Sequence, residues 1–270
     1  MTSTFSIGDR ETEPITLSAL EFDVLWEHLR LGNLPLVVKV PSPGKTFEER
    51  AALEARVWAD LEARGLGRPV EVNQDIEELL GVLAKPEREV DARAHVGRHV
   101  RVLAAAVGDT AAVVELSGET VTLRRASATG LPAAALAVLP SVGAGPGQSV
   151  TLRTVDFEAA ANEAGGTREG FGNALHTKGL RPDDATALAE MLKDVEHMGN
   201  FGAAARDKLG RRRRADRVVS FFDTEDGRYV QIRKPADDGT LWTTISPADL
   251  RKMTHHVTEL LADLTAEVAG

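Results

Sequence analysis

The chain has 270 residues, of which 43% are hydrophobic and 27% charged, and its formal net charge is −9 at neutral pH. This length allows a sizeable buried core in one large domain or two small ones. The absence of cysteine excludes disulfides and cysteine-ligated zinc, and the acidic surplus is opposite to the charge of general nucleic-acid binders.

The N-terminal segment shows no targeting signal. Residues 1–14 lack the basic start and the apolar run of a secretory signal. The longest nearly apolar stretch, residues 130–140, has about half the length needed to cross a bilayer. We therefore expect a flexible N-terminus over residues 1–14 in a cytoplasmic protein without a membrane span.

The first half of the chain, residues 15–140, alternates between helical and strand-like patterns. The predicted helices span residues 16–31, 46–64, 73–85 and 131–139. The predicted strands span residues 34–40, 87–92, 99–107, 111–116 and 120–125. The last four strands are separated by tight turns and form a predicted antiparallel meander.

A segment rich in glycine and proline, residues 141–148, is predicted to link this half to a second one, residues 149–270. The predicted strands of the second half span residues 149–155, 199–206, 217–222, 228–234 and 241–245. Its predicted helices span residues 156–164, 183–197 and 246–268. Ser246 is the expected cap of the last helix, with Pro247 at its first position.

Both halves show the same order of elements, which predicts a duplication. The expected fold class is α+β, with quasi-twofold duplicated αβααββββ halves around a central, largely antiparallel sheet with two helical bundles. The halves together form one predicted domain, and the linker crosses between them. Residues on the apolar faces predict a shared core of Leu25, Trp26, Val38, Val102, Val121, Leu123, Leu136, Leu188, Val230, Ile232 and Leu260.

Patterns typical of catalysis or cofactor binding are weak. Gly143, Gly145 and Gly147 resemble a phosphate-binding loop, but Pro146 interrupts them and no lysine follows, so a flexible linker is the better interpretation. The chain lacks a G-x-S-x-G elbow and a nucleophilic cysteine. We therefore expect no enzymatic activity and no cofactor.

Two histidine pairs are possible metal ligands. His95 and His99 have helical metal-ligand spacing but lie in a strand-like pattern, and no third ligand has a recognisable spacing. His255 and His256 are adjacent and diverge on a helix. Solvated histidines are the preferred interpretation of both pairs, and no metal site is predicted.

Four consecutive arginines, Arg211, Arg212, Arg213 and Arg214, are conspicuous because guanidinium groups bind carboxylates or phosphates with two hydrogen bonds. One interpretation is a solvated hairpin loop, and another is the docking of an acidic partner. The third is nucleic-acid contact by a regulatory protein, which the overall acidity and the scarcity of aromatic residues disfavour.

The predicted strand 228–234 has two different faces. Val230 and Ile232 point to one side, while Tyr229, Gln231 and Arg233 point to the other. The second set has the composition that is enriched at protein interfaces. An ordinary solvated face of the sheet can have the same composition. We predict a partner-binding face made of Tyr229, Gln231 and Arg233, flanked by the four arginines.

Three segments carry a resemblance to a known family: ALEFDVLWEHLRLGNLPLVVKVPSPGKTFEER (19–50), PEREVDAR (86–93) and RVVSFFDTEDGRYVQIR (217–233). They resemble the EspG family of chaperones of type VII (ESX) secretion, and the resemblance extends over residues 15–264. It implies a cytosolic, non-enzymatic chaperone with an α+β quasi-twofold fold. Family members bind PPE proteins, in PE–PPE pairs, at a hydrophobic helical tip.

The resemblance also implies a binding surface on the sheet and the C-terminal helical bundle. No short motif assigns individual contacts within that surface. The sequence is more similar to family members from actinobacteria outside the mycobacteria than to the well-described chaperones, and many such organisms have few or no PE–PPE proteins. The expected partner is therefore a helical secreted protein, either PPE-like or another ESX-type protein.

Overall fold

The computed structural model describes residues 13–270, so the predicted flexible N-terminus lies almost entirely outside the described residues. The strands are β1 (Ile15–Ser18), β2 (Gly67–Arg68), β3 (Glu71–Val72), β4 (Arg88–His95), β5 (His99–Val107), β6 (Thr110–Ser117), β7 (Thr120–Ser127), β8 (Val150–Arg153), β9 (His197–Arg206), β10 (Arg212–Arg214), β11 (Val219–Thr224), β12 (Gly227–Pro235) and β13 (Leu241–Pro247). The helices are α1 (Ala19–His28), α2 (Phe47–Ala63), α3 (Gln74–Ala84), α4 (Leu131–Leu136), α5 (Thr154–Glu163), α6 (Arg168–Thr177), α7 (Pro182–Met191) and α8 (Leu250–Ala269).

One antiparallel sheet organises the fold. Its strand order is β1-β7-β6-β5-β4-β9-β11-β12-β13-β8, and β10 pairs with the end of β9. Outward from the central β4–β9 pair, one half runs β5-β6-β7-β1 and the other β11-β12-β13-β8. Corresponding strands therefore follow one another in the same order outward from the centre in both halves. This confirms the predicted α+β, quasi-twofold fold class.

Helices cover the two faces of the sheet differently. On one face, which we call the packed face, α4 and α8 pack over the middle of the sheet around Phe201 and Val230. On the opposite face, α1 to α3 pack at one end around Leu103, and α5 to α7 pack at the other around Ile245. Between these two helical groups, this second face is open and forms the floor of a groove. We call it the groove face.

The predicted core is confirmed. All eleven predicted residues are buried, from Leu25 in the first half to Leu260 in the second. The alternation predicted for β12 is also correct, since Val230 and Ile232 point into the core of the packed face. Local apolar periodicity was therefore sufficient to predict which side chains the fold buries.

The start of the first half differs from the prediction. Residues 15–18 form β1, which pairs with β7, so the first helix begins only at Ala19. Ser18 accepts a hydrogen bond from the Glu21 amide and Glu21 returns one to the Ser18 amide, a capping box that sets this start. The leading strand of this half therefore precedes its first helix.

The predicted strand 34–40 is wrong. Its centre is a short 3-10 helix, Leu36–Val38, flanked by extended chain. Two of its carbonyl oxygens accept hydrogen bonds from side chains of the sheet instead of from a neighbouring strand. The Leu36 oxygen accepts from Arg93, and the Lys39 oxygen accepts from Arg101. The segment therefore lies along the groove as a wall.

Two helices of the second half also differ from the prediction. The last helix begins at Leu250 with Asp249 as its cap, because Ser246 and Pro247 still belong to β13 and pair with β12. The predicted helix 183–197 ends at Met191, and α6 was not predicted. The predicted hairpins β5 to β7 and β12 to β13 agree within one or two residues.

The interpretation of residues 141–148 as a flexible linker is wrong. The segment lies along the start of β12, where Ala144 forms a parallel bridge with Arg228. The Arg228 amide donates to the Gly143 oxygen at 2.8 Å, and the Gly145 amide donates to the Arg228 oxygen at 3.0 Å. The lack of a side chain at Gly145 therefore allows close packing against the Tyr229 ring. The place of this segment as a boundary between two halves stays a prediction.

Candidate functional site

The groove floor contains a polar row that crosses five strands. Strand register places Arg101 of β5 opposite Arg93 of β4, and Arg93 opposite Asn200 of β9. The row continues through Ser220 of β11 to Gln231 of β12. Ser220 donates a hydrogen bond of 2.6 Å to the Asn200 side chain. Since directly opposite residues of a sheet share a face, all five side chains line one surface.

Apolar side chains surround this row in two adjoining depressions of about 610 and 1220 Å³. On one side, Leu36 of the wall segment is 78% exposed. On the other side, the lining includes Leu192 and Val195, which follow the end of α7, and Met198 of β9, which is 54% exposed. The groove therefore combines apolar walls with a hydrogen-bonding floor.

Two acidic residues lie on the floor beside the polar row, and both are paired. Glu89 and Asp91 of β4 are buried. The Arg212 Nε atom donates to Glu89 at 2.9 Å, and the Arg214 Nη2 atom donates to Asp91 at 3.0 Å. Hydrogen bonding to Asp91 raises the pKa of the Arg214 guanidinium. These pairs connect β10 to β4 across the intervening strand β9.

Glycine at position 202 makes the second pair possible. Gly202 lies opposite Asp91 on β9, directly under the Arg214 side chain. A Cβ built on Gly202 would lie 3.0 Å from the Arg214 Cζ atom and 3.2 Å from an Asp91 carboxylate oxygen. Any larger side chain there would displace the guanidinium from its partner.

The four consecutive arginines have different environments. They lie on the predicted hairpin, but Arg212–Arg214 form strand β10 within it. Arg212 and Arg214 reach the groove, while Arg211 pairs with Asp207 inside the hairpin at 2.9 Å. Within residues 13–270, Arg213 forms no ion pair. Three of the four guanidinium groups therefore neutralise carboxylates of the chain itself.

The predicted exposure of Tyr229 is wrong. Its side chain does point to the groove face, as the alternation of β12 required, but the residue is only 2% exposed. The ring stacks on Phe222 with centroids 5.3 Å apart and belongs to the core under α5 to α7. Its hydroxyl donates to the Pro146 oxygen at 3.2 Å. Residues of the linker thus cover the end of β12 that was predicted to bind a partner.

The other two residues of the predicted face lie at the groove. Gln231 is half-buried at the end of the polar row, and Arg233 lines the same depression. Arg233 also pairs with Glu158 of α5 at 2.9 Å. The structure therefore brings Gln231, Arg233, Arg212 and Arg214 to one groove and separates Tyr229 from it.

Sequence reasoning missed the β4 and β5 side of the groove. On β4, Glu89, Asp91, Arg93 and His95 occupy every second position and share the groove face. The intervening residues of this strand are buried and apolar. The alternation of polar and apolar residues along β4 was therefore a signal for a polar face of the sheet, and it was available in the sequence.

His95 and His99 are exposed on strands, as predicted, whereas His255 and His256 differ from the prediction. His95 and His99 face each other across the β4–β5 hairpin with ring centroids 4.8 Å apart. His255 and His256 do not diverge, because both rings approach Glu259 of α8, at 3.8 and 3.2 Å. The possible ligand atoms of these last three residues lie within 4.8 Å of one another, so they could hold a metal ion.

Comparison with known proteins gives a family and a fold. A sequence model of the EspG family matches residues 18–259. One similar solved structure is the Mycobacterium tuberculosis type VII secretion system chaperone EspG5 in complex with the PE25-PPE41 dimer. The two folds agree with a TM-score of 0.71 over 93% of this chain and 96% of that one, at 18% identity. No curated protein matches. Throughout residues 13–270, every helix is too short or too polar for a membrane span.

Proposed function

The chain belongs to the EspG family, and from this membership we propose that it is a cytosolic chaperone of type VII (ESX) secretion. It binds helical secretion substrates, PE–PPE-like proteins or another ESX-type protein. It keeps these substrates soluble and directs them to their own secretion system. The task needs binding alone, so the chain acts without catalysis or a cofactor. The similarity in fold to EspG5, which was solved with a PE25-PPE41 dimer, supports this proposal.

The groove between the two helical groups is the observation that carries the proposal. A helical substrate with an apolar tip aggregates unless a partner covers that tip. The covering surface must be concave, apolar in part and able to hydrogen-bond at its polar positions. The groove offers Met198 and Val195 as apolar contacts beside Asn200 and Gln231 as hydrogen-bonding groups. Its two parts together extend across the centre of the sheet.

We assign partner contacts to Gln231 and Arg233 at the second-half end of the groove. Arg212 and Arg214 stabilise the floor by neutralising buried carboxylates, whereas Arg211 and Arg213 do not line the groove. The pairing of three of the four arginines also bears on the nucleic-acid alternative. Phosphate binding would have to compete with those internal ion pairs, so the structure gives that alternative no support.

The first test is purification of the chain from its native host, with mass spectrometry of the proteins bound to it. We expect a small helical secreted protein to co-purify. The second test uses Met198→Glu, which places a charge in the groove without disturbing a buried position. This variant should lose the partner.

The matched control is Phe47→Glu at the first residue of α2, because Phe47 is 95% exposed and lies away from the groove. It should retain the partner, and both variants should melt at the wild-type temperature. Recovery of no helical secretion substrate would contradict the proposed function. Retention of the substrate by Met198→Glu would contradict the placement of the site in the groove.

A further inference from the structure

Two arginines face each other at the first-half end of the polar row. Arg93 and Arg101 are directly opposite on β4 and β5, an arrangement in which like charges destabilise a sheet. Within residues 13–270, neither forms an ion pair. Their guanidinium groups donate to the backbone oxygens of Leu36, at 3.5 Å, and Lys39, at 3.1 Å. Each guanidinium has five N–H donors, so most of them remain available.

The next cross-strand pair on the groove face consists of two histidines. His95 lies opposite His99, both are exposed, and they line the same depression as Arg93 and Arg101. We call these four residues the basic ladder. Arg98, in the turn that joins the two strands, pairs with Glu115 at 2.8 Å. In the described part of the chain, in contrast, none of the four ladder side chains forms an ion pair with a carboxylate.

The charge of the groove is opposite to that of the chain. Its lining contains seven arginines and three carboxylates, on a chain whose net charge is −9. Two of these arginines, Arg217 and Arg233, pair with Asp263 and Glu158 outside the lining. Glu89 and Asp91 are already neutralised by Arg212 and Arg214, and the third carboxylate, Asp216, is exposed. A cleft lined by one sign of charge concentrates ligands of the other sign.

We propose that the groove binds a substrate segment that carries carboxylate side chains, and that these bind to Arg93 and Arg101 of the basic ladder. Guanidinium groups bind carboxylates through two parallel hydrogen bonds, and this would relieve the repulsion between the two arginines. The apolar part of the same segment lies on Met198 and Val195. This inference rests on the proposed function and specifies the chemistry of the partner at that groove.

The direct test measures binding of a fluorescein-labelled hexaglutamate peptide by anisotropy, with hexaglutamine as the uncharged counterpart. Wild-type protein should bind hexaglutamate in preference to hexaglutamine, and binding should weaken as salt is added. The double variant Arg93→Gln/Arg101→Gln should bind hexaglutamate at least about tenfold more weakly. The matched control Arg56→Gln/Arg251→Gln removes two exposed arginines that lie on helices α2 and α8. It should bind like wild type.

Equal binding of hexaglutamate by the ladder variant and the wild type would overturn the inference. So would tighter binding of a labelled single-stranded oligonucleotide than of the peptide, because that would assign the ladder to phosphates. A stability readout separates a binding role from a structural one. Since Arg93 and Arg101 repel each other, Arg101→Gln should raise the melting temperature at low salt, and a lower one would indicate a structural role.

The native partner separates this inference from the proposed function. If the co-purified helical protein binds the ladder variant and the wild type equally, the proposed function stands and the ladder inference fails. If hexaglutamate binds as expected but no helical secretion substrate co-purifies, the ladder is an anion site and the proposed function fails.

Discussion

The ring of Tyr229 lies directly beneath Gly145. A Cβ built on Gly145 would lie 2.6 Å from the Tyr229 Cε2 atom, which is closer than a real side chain approaches its neighbours. The Tyr229 hydroxyl donates to the Pro146 oxygen at 3.2 Å, and burial raises the pKa of the phenol, with a smaller contribution from Asp226. Tyr229 thus holds residues 141–148 against the sheet by packing and by one hydrogen bond.

Removal of this ring should therefore destabilise the protein, in contrast to the behaviour expected of an exposed residue. Tyr229→Ala should lower the free energy of unfolding by about 3–5 kcal/mol, as for other large aromatic residues in cores. Tyr229→Phe, which loses only the hydrogen bond to Pro146, should cost about 1 kcal/mol. Urea unfolding followed by circular dichroism measures both. Wild-type stability of Tyr229→Ala would show that the ring is not buried.

Substitution at Gly145 tests the same contact from the other side. Gly145→Ala should cost about 1–3 kcal/mol of unfolding free energy, because the methyl group overlaps the tyrosine ring. Gly143→Ala is the matched control, since a Cβ at that position meets no atom within 4 Å. It should change stability by less than about 0.5 kcal/mol. Similar losses at both positions would show that the loss at Gly145 does not come from overlap with the tyrosine ring.

Asp223 and Arg228 form a buried ion pair at the turn between β11 and β12. The Arg228 Nε and Nη2 atoms donate to the carboxylate at 2.6 and 2.8 Å, and Arg228 has no exposed surface. Asp223→Asn removes the charge that compensates the guanidinium. We expect a loss of about 3–5 kcal/mol in unfolding free energy, because one buried charge is left alone.

Glu190→Gln is the control for this prediction. It breaks the pair between Arg168 and Glu190, in which both side chains are about half exposed. Solvent screens such a pair, so the loss should stay below about 1 kcal/mol. Urea unfolding of the two variants under identical conditions gives the comparison. Equal losses would show that the Asp223 pair is solvated.

Local patterns in the sequence were sufficient for most of the sheet and for its core. The predicted bounds of β5, residues 99–107, agree with the structure because the strand ends at tight turns on both sides. Ser18 caps α1 and Thr46 caps α2, each together with a glutamate three positions later. These features depend on residues within a few positions of one another, which is the range over which periodicity and capping are determined.

The remaining features depend on contacts between distant segments. Residues 15–18 form a strand because they pair with β7, about a hundred positions later in the chain. Tyr229 is buried because residues 144–146 cover it. The polar row from Arg101 to Gln231 requires the register between β4 and β9, which joins the two halves. No local pattern determines that register, so the groove could not be located from sequence.

Arg214 should contribute to stability, whereas its neighbour Arg213 should not. Arg214→Gln leaves the Asp91 carboxylate without its charged partner, although Arg214 itself is 43% exposed at the side chain. After allowance for solvent screening, we expect a loss of about 1–2 kcal/mol in unfolding free energy. Arg213→Gln, which breaks no ion pair in the described part of the chain, should stay within about 0.5 kcal/mol. Thermal unfolding distinguishes them, and equal effects would contradict the assigned pairing.

The last prediction concerns the pH dependence of stability at His256 on α8. Burial lowers the pKa of His256, and the hydrogen bond of 3.2 Å to Glu259 opposes that shift only in part. His255 and Lys252 of the same helix also favour the neutral imidazole, and Lys234 of β12 lies near Glu259. The unfolded chain therefore takes up a proton at His256 more readily than the folded chain.

It follows that the contribution of His256 to stability is constant above the unfolded pKa, near 6.5, and falls as the pH decreases below that value. Urea unfolding at about pH 7.5 and 5.5 should show lower stability at the acidic value, and His256→Gln should reduce this difference. Hydrogen bonding to His256 lowers the pKa of Glu259, so that group loses its contribution only at still lower pH. The control His176→Gln, at an exposed position on α6, should keep the wild-type difference. If His256→Gln and His176→Gln behave alike, the pH dependence must come from another group.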